Sequence, residues 1–150
     1  MPKYLTPEGL EKFKEESDYL KTVKRKEIAE RIKRAASFGD LSENFAYQQA
    51  KEDQAFLEGR ILELRKIISQ AKIIEKSKSD KAQIGSMVTV NLAGKKEKFQ
   101  IVEPEEADPS EGKISFESPL GRALLEKKVG NKINYETLNN KLEGKILKIE

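Results

Sequence analysis

Asp40 and Glu43 place two carboxylates three residues apart inside Gly39-Asp40-Leu41-Ser42-Glu43-Asn44, a short break between two long stretches of helix-forming sequence. Hard oxygen donors of this kind hold Mg²⁺. Two carboxylates cannot complete the octahedron that Mg²⁺ demands, so the remaining ligands would come from water, a phosphate or another protein. A purely local use competes with this one. Asp40 or Ser42 would cap the helix that follows, and Glu43 would sit three residues after Asp40 as in a capping box. Spacing alone leaves both uses open.

Composition narrows the chemistry further. The 150 residues include no cysteine and no histidine, which excludes disulfides, thiolate metal sites and the commonest general base. Any metal must therefore sit on carboxylate oxygens. Hydrophobic residues make up 37% of the chain and charged residues another 37%, too polar for one large core, so an elongated or divided molecule is expected. No run of 18 apolar residues occurs, and Met1-Pro2-Lys3-Tyr4-Leu5 lacks the pattern of a secretory signal; a soluble, cytoplasmic protein without a membrane partner is expected. The net charge of +3 says little about nucleic acid by itself.

The elements that would carry the acidic pair can be read on either side of it. Thr6-Pro7-Glu8 opens a helix, with Thr6 as N-cap and Pro7 at the first helical position. Leu10, Phe13, Leu20, Val23, Ile28, Ile32 and Ala35 give this helix a narrow apolar stripe up to about Ser37. Ala50, Gln54, Leu57, Ile61, Leu64, Ile68 and Ala71 form a heptad seam in the second helix. Each stripe can be buried only against the other, which predicts an antiparallel coiled-coil hairpin over 1–76 with its tip at 38–44. Gly39 suits the left-handed residue that ends the first helix.

Residues 77–83 read as a polar linker. From Ile84 to Glu150 the period changes to two, with about five strands around Met87–Val90, Phe99–Ile101, Ile114–Phe116, Ile133–Tyr135 and Ile146–Ile149. Ser118 and Pro119 open a short helix running from Leu120 to about Lys127. The fold class is thus α+β in two domains: a helical hairpin, then a small antiparallel sheet packed on one helix.

"GDLSEN" at 39–44, followed by Tyr47, Ala50, Lys51 and Glu52, resembles the tip of the bacterial Gre transcript cleavage factors, GreA and GreB. "SPLGRALLEKKVG" at 118–130 is close to the second signature of the same family. The resemblance covers nearly the whole chain and favours the GreA branch, although Glu126-Lys127-Lys128 looks nearer GreB and Phe45-Ala46 replaces a small-then-acidic pair. It implies an FKBP-like C-terminal domain that docks at the rim of the RNA polymerase secondary channel through Ser118 and Pro119, to which Glu117 is added. It also implies that the coiled coil enters the channel. There Asp40 and Glu43 would share a Mg²⁺ with the polymerase, supported by Ser42 and Asn44, so that backtracked RNA is cleaved by the polymerase itself. No cofactor is expected in the isolated protein, which would be no enzyme alone and would take no small-molecule substrate.

Several side chains carry two readings. The run containing Lys24, Arg31 and Arg34 is either a solvated face with Glu27–Arg31 and Glu30–Arg34 pairs or, with Lys51, a surface for the phosphates of the 3′ RNA. Phe38 and Phe45 either staple the hairpin end shut or stack on bases. Two other functions compete: a channel-binding inhibitor without cleavage, which the Asp40/Glu43 pair argues against, and a peptidyl-prolyl isomerase, suggested only by the fold.

Overall fold

The computed structural model describes residues 2–39, 43–74 and 80–150. The chain divides into two compact units, one of Leu10–Ala71 and one combining Met1–Gly9 with Lys72–Glu150. Sequence patterning assigns the first nine residues to the hairpin instead. Two buried carboxylates account for the difference: Glu106 accepts the Thr6 N–H at 2.7 Å and the Thr6 hydroxyl at 2.8 Å, and Glu103 accepts the Tyr4 N–H at 3.2 Å. Lys3 adds an ion pair with Glu105 at 2.9 Å. These bonds tie the N-terminus to the C-terminal unit.

In the helical unit, α1 (Pro7–Tyr19) runs through a π-helical segment, Leu20–Lys24, into α2 (Arg25–Ala36), and α3 (Phe45–Gln70) returns. Thr6 caps α1 as expected, its hydroxyl accepting the Gly9 N–H at 3.0 Å. The π segment explains why the first apolar stripe is irregular. Leu20 and Ile28 lie one residue further apart than the heptad step that separates Phe13 from Leu20 and Ile28 from Ala35. A π turn takes in one residue more than an α turn, so it returns Ile28 to the seam. The extra residue turns Val23 outward, contrary to its placement in the stripe; it is 45% exposed.

On α3 the buried residues are Ala50, Leu57, Ile61, Leu64 and Ile67. Ile67, not Ile68, ends the seam, and Ala71 has already left the helix with extended backbone. Ile28, Leu57 and Ile61 form a packed cluster with Leu20 and Ile32 against it. Three cross-hairpin pairs flank this seam: Arg25–Glu58 and Arg60–Glu16, each bidentate, and Arg31–Asp53 at 2.8 Å. Hydrogen bonds from Arg25 and Arg31 hold the Glu58 and Asp53 carboxyls below the usual range. Such exposed pairs add little stability each, but they specify register.

The C-terminal unit holds a two-stranded ribbon that sequence reading missed, β1 (Lys3–Leu5) with β2 (Ala71–Ile73). Its main sheet has five strands: β3 (Met87–Leu92), β4 (Lys95–Val102), β5 (Lys113–Ser115), β6 (Lys132–Glu136) and β7 (Lys141–Ile149). They lie in the order β5-β4-β3-β7-β6, antiparallel except for the parallel pair β4–β5. The helix α4 (Pro119–Leu124), shorter than expected, inserts Leu124 into a core of Val88, Val90, Ile101, Ile133 and Ile146. Ala82 joins this core and exchanges backbone hydrogen bonds with Lys127 and Glu126, so the unit begins before Ile84. Of the expected linker, residues 77–79 lie outside the described residues.

Candidate functional site

The site begins where α2 ends. Its last turn tightens, with Phe38 N–H bonded to the Ala35 carbonyl and Gly39 N–H to that of Ala36, both at 3.2 Å. Gly39 follows at φ 86°, the left-handed conformation that terminates helices. Asp40, Leu41 and Ser42 lie outside the described residues. The chain is described again at Glu43, which is exposed.

Asn44, rather than Asp40 or Ser42, caps α3. Its Oδ1 accepts the Tyr47 N–H at 3.0 Å, while its Nδ2 donates to the Ala35 carbonyl at 2.6 Å. One side chain thereby satisfies an open donor of α3 and an open acceptor of α2, and stitches the two helix ends together. With Asn44 at the cap, Tyr47 takes the position where a capping box needs an acid. Glu43 therefore precedes the cap, and no hydrogen bond or ion pair joins it to another described residue.

This stitch has a measurable weight. Asn44→Ala removes a cap worth about 1 kcal/mol and a second hydrogen bond worth about as much, so a loss of ~2 kcal/mol from the helical unit is expected. Asn44→Asp keeps the acceptor and loses the donor, and should fall between. Urea melts followed by helical circular dichroism check both; wild-type midpoints for the two proteins would show that the tip is closed by other groups.

Phe38 and Phe45 flank the tip at 81% and 84% exposure, so they do not staple the hairpin end. Of the basic candidates, Arg31 is engaged with Asp53, and Lys24 pairs with Glu27 at 3.5 Å. The expected Glu27–Arg31 pair gives way to these, and the expected Glu30–Arg34 pair is not formed. Lys51 is exposed and donates to Gln54 at 3.1 Å. Arg34 is exposed and makes no ion pair with another described residue.

The second motif is built on one tight turn. Ser118 caps α4, accepting the Gly121 N–H at 3.1 Å and donating to the Ser115 carbonyl at 2.6 Å; Pro119 occupies the first helical position. Glu117 is exposed, and its N–H is held by the Ser115 hydroxyl at 3.0 Å. Sequence reading passed over Gly121, although a glycine inside so short a helix is a signal, since it costs about 1 kcal/mol relative to alanine. It lies directly against the Ser115 carbonyl, with room for no side chain.

Among the described residues no three acidic side chains gather as a metal site, and no helix is long and apolar enough to cross a membrane. Residues 3–73 match the family model described as "Transcription elongation factor, N-terminal", and residues 76–150 match "Transcription elongation factor, GreA/GreB, C-term". "Transcription elongation factor GreA" of Bacillus subtilis is 51% identical over 148 residues, covering 97% of this chain and 94% of its own. The protein of the same name from Caldanaerobacter subterraneus subsp. tengcongensis is 49% identical over 152 residues, covering 99% and 97%. Among solved structures, the GreA factor homolog 1 (Gfh1) protein of Thermus thermophilus is 27% identical with a TM-score of 0.47, covering 100% of this chain and 99% of that one.

Proposed function

The chain belongs to the GreA/GreB family of transcription elongation factors, and from that membership we propose that its hairpin enters the secondary channel of bacterial RNA polymerase and stimulates the polymerase's own cleavage of backtracked RNA. It is an elongation factor acting on RNA polymerase rather than an enzyme itself. Such a partner would place it in the cytoplasm.

The observation that carries the cleavage reading is the position of Glu43. It is exposed at the tip, one residue before a cap that Asn44 supplies, so the local role that would account for it is already filled. Asp40 stands three residues before it in the sequence. The two fit a shared Mg²⁺ in donor chemistry and not in number, which suits an ion completed by the partner's ligands, water and RNA phosphate. Bound there, such an ion would supply an activated water, while an ion held by the polymerase itself would steady the leaving oxygen. This chain's own part is to deliver and orient the two carboxylates. Asn44 fixes the start of α3 one residue after Glu43, and Ser42 belongs to the same sequence motif.

The 3′ end of the extruded RNA would meet Lys51 and Arg34, with Lys24 nearby in the sequence, through its phosphates. The exposed rings of Phe38 and Phe45 offer faces on which bases stack. Arg31 serves this surface indirectly, since its guanidinium is committed to Asp53. Glu117, Ser118 and Pro119 would dock the C-terminal unit at the channel rim.

Elongation complexes stalled in a backtracked state test the reading. Adding the protein should accelerate endonucleolytic shortening of the RNA, while the same RNA with the protein alone stays intact. Tight polymerase binding without acceleration would instead make it a channel-occupying inhibitor.

A further inference from the structure

The face of the main sheet turned away from its core has an ordered charge pattern. Val88, Val90, Ile101, Ile133 and Ile146 point into the core, so their neighbours along each strand point out, and a β-bulge between Ile146 and Lys148 brings Lys148 opposite Thr89 on that outer face. Register then sets these outward residues side by side: Lys98, Thr89 and Lys148 across β4, β3 and β7, and Lys96, Asn91, Lys145 and Lys132 across β4, β3, β7 and β6. All five lysines are exposed. Lys132 and Lys145 stand directly opposite one another, an arrangement that destabilises a sheet.

The pattern makes a trough. Between the lysines β3 contributes the short side chains of Thr89 and Asn91, a floor that ends at Met87, which pairs with Gln100 on the same face. Lys96 and Lys98 rise on one side, Lys145 and Lys148 on the other, two strand spacings or about 10 Å away. Lys148 pairs with Glu150 at 2.5 Å, whereas Lys96, Lys98, Lys132 and Lys145 make no ion pair with another described residue. The other carboxylates of this face, Glu143 and Glu136, lie beyond the trough, opposite Asn134 and Lys141.

We propose that this face binds single-stranded RNA, gripped through its phosphates by the two lysine columns. The width decides between nucleic acids: a duplex, whose major groove alone is about 12 Å across, is too broad to lie between the columns. Thr89 and Asn91 offer donors and acceptors to the 2′-hydroxyls, the groups that distinguish RNA from DNA. Phe99 and Tyr135 alternate with the outward residues of their strands and sit on the opposite face, so bases are not stacked here and recognition is independent of sequence. The opposed Lys132–Lys145 pair is tolerated because a phosphate between them relieves it.

Fluorescence anisotropy of a labelled 20-residue oligouridylate with the full-length protein tests the proposal, without polymerase and over a salt series. The K96Q/K98Q/K132Q/K145Q protein should bind about tenfold or more weakly at low salt, and its salt slope should fall by ~0.7 per lysine removed. Its thermal melt, not lower than wild type, shows that the loss is not unfolding. An unchanged affinity and slope in this variant would overturn the proposal, as would an absence of wild-type binding. Tighter binding of duplex DNA than of RNA, or displacement of the RNA by polyglutamate at equal charge concentration, would also overturn it, the second by assigning the face to an acidic protein.

Discussion

Asp40→Asn is expected to lower stimulated cleavage of backtracked RNA by about 100-fold or more, with polymerase affinity and the melting temperature unchanged. The amide keeps the shape of the side chain and removes the anionic oxygen that a hard cation requires. Changing a group that merely supports a metal ligand costs roughly 10- to 100-fold in metal affinity or activity, so losing a ligand should cost no less. Stability is spared because the cap of α3 is Asn44. Glu43→Gln should be impaired in the same direction by a smaller factor, and part of its loss should be recovered at higher Mg²⁺, a recovery that no capping role would produce. Single-turnover cleavage on one stalled complex, with thermal melts of the same proteins, separates the alternatives. Full cleavage by Asp40→Asn together with a stability loss of ~1 kcal/mol would return the acids to a local role.

How far such a site can be read from sequence depends on whether its determinants are local. The Thr6 and Ser118 caps were legible because a cap bonds within three residues of itself. The seam of α3 was legible through Leu64 because a heptad repeats inside one helix. It failed at Ile68, where Ile67 takes the buried place, and at Ala71, where the chain leaves the helix to pair with Lys3–Leu5, a partner nearly the whole hairpin away in sequence. The grip of Glu106 on Thr6 was hidden for the same reason. At the tip the sequence assigns the cap to Asp40 or Ser42, whereas Asn44 takes it, and the amide of Asn44 also bonds to the Ala35 carbonyl across the hairpin, a contact that spacing does not reveal. The basic run misled because an exposed arginine can bond to its own helix or the neighbouring one, and Arg31 took Asp53. The acidic pair itself was conspicuous at once, since two carboxylates in a hairpin turn are visible without any knowledge of packing.

The same substitution made at two glycines should move stability in opposite directions. Gly59 lies inside α3 with nothing within 4 Å of the point where a Cβ would stand, so Gly59→Ala adds a methyl group into open space and should stabilise the helical unit by about 1 kcal/mol. Gly121 also lies in a helix and would gain the same intrinsic preference. There the added Cβ falls inside the carbonyl of Ser115, with the Ser115 carbonyl carbon at 2.9 Å and the Phe116 Cα at 3.0 Å. These are backbone atoms and cannot rotate aside, and the Ser115 carbonyl is already held by the Ser118 N–H and hydroxyl. The helix must move instead, drawing the fully buried Leu124 from the core. Collision therefore outweighs propensity, and Gly121→Ala should cost about 3 kcal/mol, the upper end for overpacking a core. Because Ser118 and Pro119 ride on the same helix, polymerase affinity should fall with it, while the helical circular dichroism of the hairpin persists. Denaturant melts of both variants, with a polymerase binding titration, check the pair; a Gly121→Ala protein that binds polymerase like wild type would show that docking does not depend on how α4 is seated.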